Sequence, residues 1–242
     1  IGSATGGGFE QLDVNAAPAL TSVSDDVDAT TVSLAATASV AEGGSIVYTA
    51  TLSNAAQTPV TVTLSSGEAI IIAAGATTGS VTIAAPSDDV HVDAGSVSRT
   101  ITSASGGNFE ALTVNPAAAT TTVTDTIDTT TVSITGDAVV AEGATASYTV
   151  SLTSAAQTAV TVNLSYSGVA LDGTDFSGVA TVTIAAGASS ANLNIATLAD
   201  VLAEGVESFT VSIASAAGGN FENPVVSAAN GAQTTAIVDD DT

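Results

Sequence analysis

Alternation of apolar and polar positions is the clearest signal in this chain. Ile46, Tyr48, Ala50 and Leu52 fall on one face of a period-two run, and Val60, Val62 and Leu64 do the same with threonines between them. Such runs, cut by Gly, Pro, Asn and Ser, predict strands over residues 30–40, 45–53, 59–65, 69–73, 79–85, 96–103 and 112–124. They are labelled A to G in order. Seven short strands in about 100 residues, with turn signals between them, predict an all-β fold of immunoglobulin-like sandwich type. No segment with a helical period competes.

The pattern recurs. Residues 1–35 match residues 101–135 without a gap, and 20 of the 35 positions are identical. The offset of 100 persists through Ala41-Glu42-Gly43 against Ala141-Glu142-Gly143, and through Val60-Thr61-Val62 against Val160-Thr161-Val162. Ile72-Ala73-Ala74-Gly75-Ala76 then matches Ile184-Ala185-Ala186-Gly187-Ala188 at an offset of 112, so the second copy carries 12 extra residues between Leu164 and Ile184. Self-similarity on this scale marks tandem units. It predicts three parts: residues 1–27 as the C-terminal strands of a preceding repeat, 28–127 as one whole repeat and 128–242 as a longer one. Because the chain opens at Ile1 inside a pattern that recurs whole at Ile101, it reads as a slice of a longer protein.

Composition adds to this picture chiefly through charge. There are 24 acids, one Arg (Arg99), no Lys and one His (His91), for a net charge of −23. A nucleic acid needs Lys and Arg to displace its counterions, so it is excluded as a partner. Anionic membrane surfaces are disfavoured on the same ground. No run of 18 apolar residues predicts direct insertion into a membrane. The absence of Cys removes disulfides and thiolate chemistry. A charge imbalance of this size must be tolerated as self-repulsion or neutralised by bound cations.

Strand parity says where the acids go. If successive strands run antiparallel, the A–B, C–D and E–F loops share one pole with the end of strand G. In the first repeat that pole collects Glu42 (A–B), Asp88, Asp89 and Asp93 (E–F), and Asp125 and Asp128 after G. In the second it collects Glu142, Asp172 and Asp175, then Asp200, Glu204 and Glu207, then Asp239, Asp240 and Asp241. Asp25 and Asp28 are the upstream counterparts of Asp125 and Asp128. The opposite pole of the first repeat carries Glu110 alone, in the F–G loop.

Carboxylates gathered without a Lys or Arg repel one another, and must take up protons or a cation. Oxygen ligands on flexible loops suit Ca2+ better than Mg2+. The lack of Cys, with a single His, argues against zinc, copper and iron. The alternative is a solvated acidic surface that discourages aggregation at the sheet ends; the clustering at one pole favours the cation. His91 lies beside Asp89 and Asp93, but no nucleophile with an orienting partner stands near it in sequence, and an exposed loop histidine is the simpler reading. Gly106-Gly107-Asn108-Phe109-Glu110 and its copies at 6–10 and 218–222 read as a tight F–G turn with Phe anchored in the core. Paired acids could serve a glycosidase, but aromatic sugar platforms are nearly lacking, and no enzyme is expected.

The stretch Thr120-Thr121-Thr122-Val123-Thr124-Asp125-Thr126-Ile127-Asp128-Thr129-Thr130-Thr131-Val132-Ser133 resembles the repeat boundary of giant bacterial biofilm adhesins of the LapA-like, type I-secreted RTX-adhesin class. So do Ala55-Ala56-Gln57-Thr58-Pro59-Val60-Thr61-Val62 and Ala85-Pro86-Ser87-Asp88-Asp89-Val90. The second repeat also resembles a Calx-beta domain in Gly173-Thr174-Asp175-Phe176, in Asp200-Val201-Leu202-Ala203-Glu204-Gly205-Val206-Glu207-Ser208-Phe209, and in Ile237-Val238-Asp239-Asp240-Asp241. The resemblance implies tandem immunoglobulin-like/Calx-beta-like sandwiches outside the cell, at the bacterial surface. They would act as non-catalytic extenders, with Ca2+ stiffening the junctions, in support of surface attachment and biofilm formation. It also implies Glu42, Asp88 and Asp125 as ligands in the first repeat, and Glu142, Asp200, Glu204 and Asp239 to Asp241 in the second. The first repeat departs from the Calx-beta pattern, since Val92 and Gly95 align with Glu204 and Glu207. The nonapeptide repeats of the secretion end do not occur in this sequence. The expected partners are neighbouring repeats of the same chain. Two other readings remain: a surface fibre whose molecules exchange strands with other copies, and a tip module binding sugar or a surface.

Overall fold

The structure, a computed structural model, describes residues 1–203, 205–239 and 241. Among them every regular element is a strand. The first repeat forms β1 (Ala29–Ala36), β2 (Ser39–Ala41), β3 (Ser45–Leu52), β4 (Val60–Leu64), β5 (Ala69–Ile72), β6 (Thr78–Ala84), β7 (Gly95–Arg99), β8 (Ile101–Gly106), β9 (Ala111–Val114) and β10 (Ala119–Thr124). The second forms β11 (Thr129–Gly136), β12 (Val139–Ala141), β13 (Thr145–Leu152), β14 (Val160–Gly168), β15 (Phe176–Ser177), β16 (Thr181–Ile184), β17 (Ser190–Thr197), β18 (Glu207–Gly218), β19 (Asn223–Val226) and β20 (Ala232–Val238).

The alternation that predicts these strands is the alternation that buries them. On β3 Ile46, Tyr48, Ala50 and Leu52 all point into the core, and on β4 Val60, Val62 and Leu64 do. Three predicted strands come in two pieces each, because a period-two pattern does not reveal a change of sheet. Strand A divides into β1, which runs parallel to β9, and β2, which runs parallel to β10. Strand G divides into β9 and β10 around Pro116, which has no N–H for a ladder. Strand F divides at Thr100, whose backbone bonds to Ser65 rather than continuing the ladder: β8 pairs with β4 and β7 with β10.

The strands of the first repeat form sheets in the orders β6-β3-β1-β9, β5-β4-β8 and β2-β10-β7. The second repeat is a sandwich of two five-stranded sheets, β15-β17-β13-β11-β19 and β12-β20-β18-β14-β16. The chain forms two compact units, one of Ile1–Leu34, Thr49–Ser80 and Thr100–Ala117, the other of Ala35–Tyr48, Val81–Arg99 and Ala118–Thr242. The first unit is cored by Val60, Val62, Leu64, Ile70 and Ile72, all buried. The second contains the whole second repeat together with the acidic end of the first, so every residue of both candidate sites lies within it.

At the centre of the second repeat Phe176 and Phe209 stack with centroids 4.3 Å apart and an interplanar angle of 19°. The extra residues of this repeat are tied down locally. The Tyr166 hydroxyl donates to the Val179 carbonyl (2.8 Å) and accepts from its N–H (2.9 Å), and Asp172 Oδ1 accepts from the Gly178 N–H (2.7 Å). This fixes the loop that carries Asp175.

Residues 1–28 contain no strand, although 1–24 matches the segment 101–124 that forms β8, β9 and β10. The physical difference is partners. Strand β8 pairs with β4, β9 with β1 and β10 with β2 and β7, whereas among the described residues the tail pairs with no strand. An isolated pair of strands is marginal in water.

Candidate metal centre

The A–B turn of the first repeat follows β2 and turns through Gly43, whose φ of 69° is left-handed; a side chain there would also press on Asp88 Cβ at 3.2 Å. The Glu42 N–H donates to the Thr124 carbonyl (3.0 Å) and the Gly43 N–H to the Pro86 carbonyl (2.6 Å), which ties the turn to the end of β10 and the start of the E–F loop. Glu42 is thereby carried inward and is only 5% exposed. Its Oε1 accepts from the Thr126 N–H (3.0 Å), while Oε2 is buried with no hydrogen-bond partner. Asp125 Oδ1 is likewise buried and unpartnered. One carboxylate oxygen from each of Glu42, Asp93 and Asp125 lies within 4.8 Å of the other two.

A buried carboxylate oxygen without a protein donor carries a desolvation penalty that a cation would remove. Glu42 already registers the strain. The hydrogen bond from Thr126 lowers its pKa and is the largest single influence. Burial and the charges of Asp93, Asp125 and Glu222 together outweigh it and hold the group above its ordinary value. A raised acid pKa means that the folded state binds the proton more tightly than the unfolded chain. Its stability contribution is therefore complete below the ordinary value of 4.5 and is lost as pH rises through the raised one. In chelator, the protein is expected to become more stable as pH falls from 7 to about 5. In millimolar Ca2+ the trend should reverse, because protons compete for the same oxygens. Thermal melts at the two pH values, with and without Ca2+, check this; an identical pH trend in both media would contradict it.

The remaining acids of this pole are engaged otherwise. Asp88 accepts from the Thr126 hydroxyl, and Asp89 Oδ1 accepts from the His91 N–H (2.7 Å) and lies 3.3 Å from its Nδ1. Asp128 stands outside the three-acid group, and its N–H donates to Glu222 Oε2 (2.6 Å). Asp25 is exposed in the tail; the Asp28 N–H donates to Glu110 Oε2 (2.6 Å) in the matching arrangement one repeat earlier.

The second repeat builds its own cluster at the corresponding end. One oxygen from each of Glu142, Asp239 and Asp241 falls within 4.8 Å of the others, and Asp241 Oδ2 is buried without a partner. Asp239 Oδ1 accepts from the Asp241 N–H (2.9 Å) and Oδ2 from the Gly205 N–H (3.1 Å). Glu142 Oε1 accepts from the Asp200 N–H (2.8 Å), and Asp200 Oδ1 from the Leu202 N–H (2.7 Å). Asp175 and Glu207 line the same cleft as Glu142 and Asp239, with Leu198, Gly205 and Ile237. Glu204 and Asp240 lie outside the described residues. Among the described residues these are the two groups with the geometry for a metal.

One acid near this pole is absent from the strand-parity assignment: Glu222, in the F–G loop of the second repeat. It sits at the pole opposite to that repeat's own cluster, yet its charge reaches Glu42, and its Oε1 is buried and unpartnered. The loop that carries it turns tightly, with Asn220 left-handed at φ 59° and a Cβ on Gly218 only 2.3 Å from the Ala159 carbonyl. Phe221 is 7% exposed and stacks on His91 at 5.1 Å, so the anchored-Phe reading holds for this copy; Phe109 is only half-buried, and Phe9, in the strandless tail, is exposed, which corrects the reading there. The available signal was the Glu that closes all three copies of the motif, at positions 10, 110 and 222.

A family model described as the LapA domain matches residues 28–126 and 128–240. No curated protein matches the sequence. Similar solved structures include the apo-form Calx CBD1 domain, at 21% identity and a TM-score of 0.41, over 47% of this chain and 100% of that one. They also include CBD12 from CALX1.2, at 14% and 0.35 over 85% and 98%. A third is native Escherichia coli alpha-2-macroglobulin, at 11% and 0.30 over 90% and 17%. Scores this low support no functional conclusion.

Proposed function

The chain belongs to the LapA domain family, and from that premise we propose that its two repeats are non-catalytic extenders of a bacterial cell-surface adhesin, stiffened by Ca2+ at the repeat ends. The observation that carries the cation is the buried, unpartnered Oε2 of Glu42 beside the equally unpartnered Oδ1 of Asp125. Ca2+ takes about 6–8 oxygens in adaptable geometry, and loop carboxylates of this kind can supply them. Glu42, Asp93 and Asp125 would hold it in the first repeat and Glu142, Asp239 and Asp241 in the second, with Asp175 and Glu207 at the cleft of the latter. The domain boundaries implied are those of the sequence repeats, 28–127 and 128–242, with residues 1–27 as part of a preceding repeat.

The first cluster lies where the first repeat hands over to the second, so an ion bound there would restrict that hand-over. The role in surface attachment and biofilm formation, with type I secretion of the whole adhesin, follows from the family premise. Neighbouring repeats are the partners. Small-angle scattering tests the stiffening. In millimolar Ca2+ the chain is expected to give the longer, narrower distance distribution of a rod, and in chelator the broader one of two segments joined by a hinge. Superimposable profiles in the two conditions would sink the stiffening role.

A further inference from the structure

We propose that the B–C and F–G loops of the first repeat form a docking socket, and that its occupant is the E–F loop of a preceding repeat with the chemistry of Val90-His91-Val92. The inference rests on the extender reading above and names the surface by which one repeat receives another.

The template lies inside the chain, where the E–F loop of the first repeat sits on the B–C and F–G loops of the second. The Val92 N–H donates to the Asn220 carbonyl (3.0 Å) and the Glu222 N–H to the Val90 carbonyl (3.1 Å), an antiparallel bridge centred on His91 and Phe221. Asn220 Nδ2 donates to the Val92 carbonyl (3.1 Å) and to Gln157 Oε1 (2.8 Å). The His91 ring stacks on Phe221, with Nε2 3.1 Å from the Ala155 carbonyl, and Val90 packs against the core of the second repeat. None of these contacts uses an acid of either three-carboxylate group.

The first repeat builds the same receiving surface. Asp28, Ala55, Gln57, Asn108, Phe109 and Glu110 line an open pocket, and their counterparts are Asp128, Ala155, Gln157, Asn220, Phe221 and Glu222. The match extends to geometry. Asn108 is left-handed at φ 55°, as Asn220 is at 59°, and its Nδ2 donates to Gln57 Oε1 (2.7 Å) as that of Asn220 does to Gln157. The Gln57 N–H donates to the Gly107 carbonyl and the Gln157 N–H to the Gly219 carbonyl, both at 3.0 Å. Glu110 Oε2 receives the Asp28 N–H as Glu222 Oε2 receives that of Asp128, both at 2.6 Å. A surface already in its receiving conformation loses little freedom on docking.

Burial shows what an occupant adds. Beneath the E–F loop Phe221 is buried and Glu222 and Asp128 are half-buried, whereas Phe109 is only half-buried and Glu110 and Asp28 are exposed. The Asn108 carbonyl and the Glu110 N–H, counterparts of the bridge's acceptor and donor, pair with nothing among the described residues. A half-covered ring beside two unpaired backbone groups fits an extended segment that brings its own N–H, carbonyl and ring. Val90-His91-Val92 is such a segment. The second repeat's E–F loop has Leu202 and Ala203 at the places of Val90 and His91, and so offers no ring. The source of the occupant follows from the repeat pattern. Residues 1–24 lead into Asp28 as the matching residues 101–124 lead into Asp128, so the end of a repeat stands directly before this socket.

A synthetic peptide of residues 86–94 is the probe. Added to the wild-type chain, it is expected to shift the amide resonances of Ala55, Gln57, Asn108 and Glu110 saturably, and its H91A form to bind several-fold more weakly. Disulfide capture gives a second readout. Positions 91 and 221 face each other as a non-hydrogen-bonded pair, whose Cα spacing of about 4.5 Å suits a disulfide, and the chain has no Cys of its own. H91C/F221C should therefore cross-link within one chain, and F109C should capture the H91C peptide several-fold faster than a scrambled peptide of the same composition. Equal capture of both peptides, or socket resonances that do not move, would overturn the socket and leave the Ca2+-stiffened extender to be decided by scattering. Failure of H91C/F221C to cross-link would remove the template, and the inference with it. Self-association of the wild-type chain that F109A abolishes would assign the surface to a second copy instead, and overturn the occupant named here.

Discussion

Adding Ca2+ to chelator-stripped protein at about a hundred times its dissociation constant is expected to raise the melting temperature by about 10–20 °C. A ligand that binds only the folded state stabilises it by RT ln(1 + [L]/Kd), or about 2.7 kcal/mol per site at that excess. For a domain of roughly 100 residues each kcal/mol is worth about 4–8 °C. The effect is large here because the clusters are poorly satisfied without an ion: Glu42 Oε2, Asp125 Oδ1 and Asp241 Oδ2 are all buried without partners. Selectivity separates site binding from general screening of a chain with net charge −23. Mg2+ demands tighter octahedral geometry and keeps its waters, so at equal concentration it should stabilise less. Sodium chloride at matched ionic strength should do least, since it relieves only the long-range repulsion. Equal melting temperatures in chelator and in millimolar Ca2+, followed by calorimetry or circular dichroism, would show that the clusters are solvated acids and nothing more.

The sequence made the strands legible because each buried face is a period-two run, and parity then carried Glu42, Asp93 and Asp125 to one end, where they meet within 4.8 Å. Parity works because successive strands reverse direction, which alternates the ends at which their loops emerge, whatever the side chains. It could not say which acids of one loop turn inward. Asp88 and Asp89 sit beside Asp93 in sequence, yet they are taken up by the Thr126 hydroxyl and the His91 backbone. Nor could it see the sheet changes at Pro116 and Thr100, since apolar alternation passes unbroken through a strand that swaps partners. Glu222 was hidden for a different reason. Within its own repeat it belongs to the opposite pole, and only the folded chain lays that pole against the preceding repeat's E–F loop. Information about a junction lies in two sequences at once, and a reading confined to one repeat leaves out half of it.

Replacing Phe209 with Ala is expected to destabilise the second repeat by about 3–5 kcal/mol, the range for deleting a buried aromatic ring. Phe209 is fully buried, stacks on Phe176 at 4.3 Å and lies 6.4 Å from Tyr166, so its loss opens a cavity among rings that cannot all collapse into it. The consequence for function follows from where those rings lead. Phe176 adjoins Asp175, whose carbonyl accepts from the Leu198 N–H, and Tyr166 holds Val179 at the other end of the inserted loop. Strand β18, which carries Phe209, ends at the Gly218 turn that presents Glu222. Loosening this core should therefore weaken Ca2+ at the second repeat's cluster, whose cleft Asp175 helps to line. The first unit, cored by Val60, Val62, Leu64, Ile70 and Ile72, shares none of these contacts and should keep its own transition. Differential scanning calorimetry in Ca2+ would then show one transition moved down and one nearly unmoved. Displacement of both transitions by the same amount would mean that the two units melt as one, and that the chain is cooperative over a longer span than a single repeat.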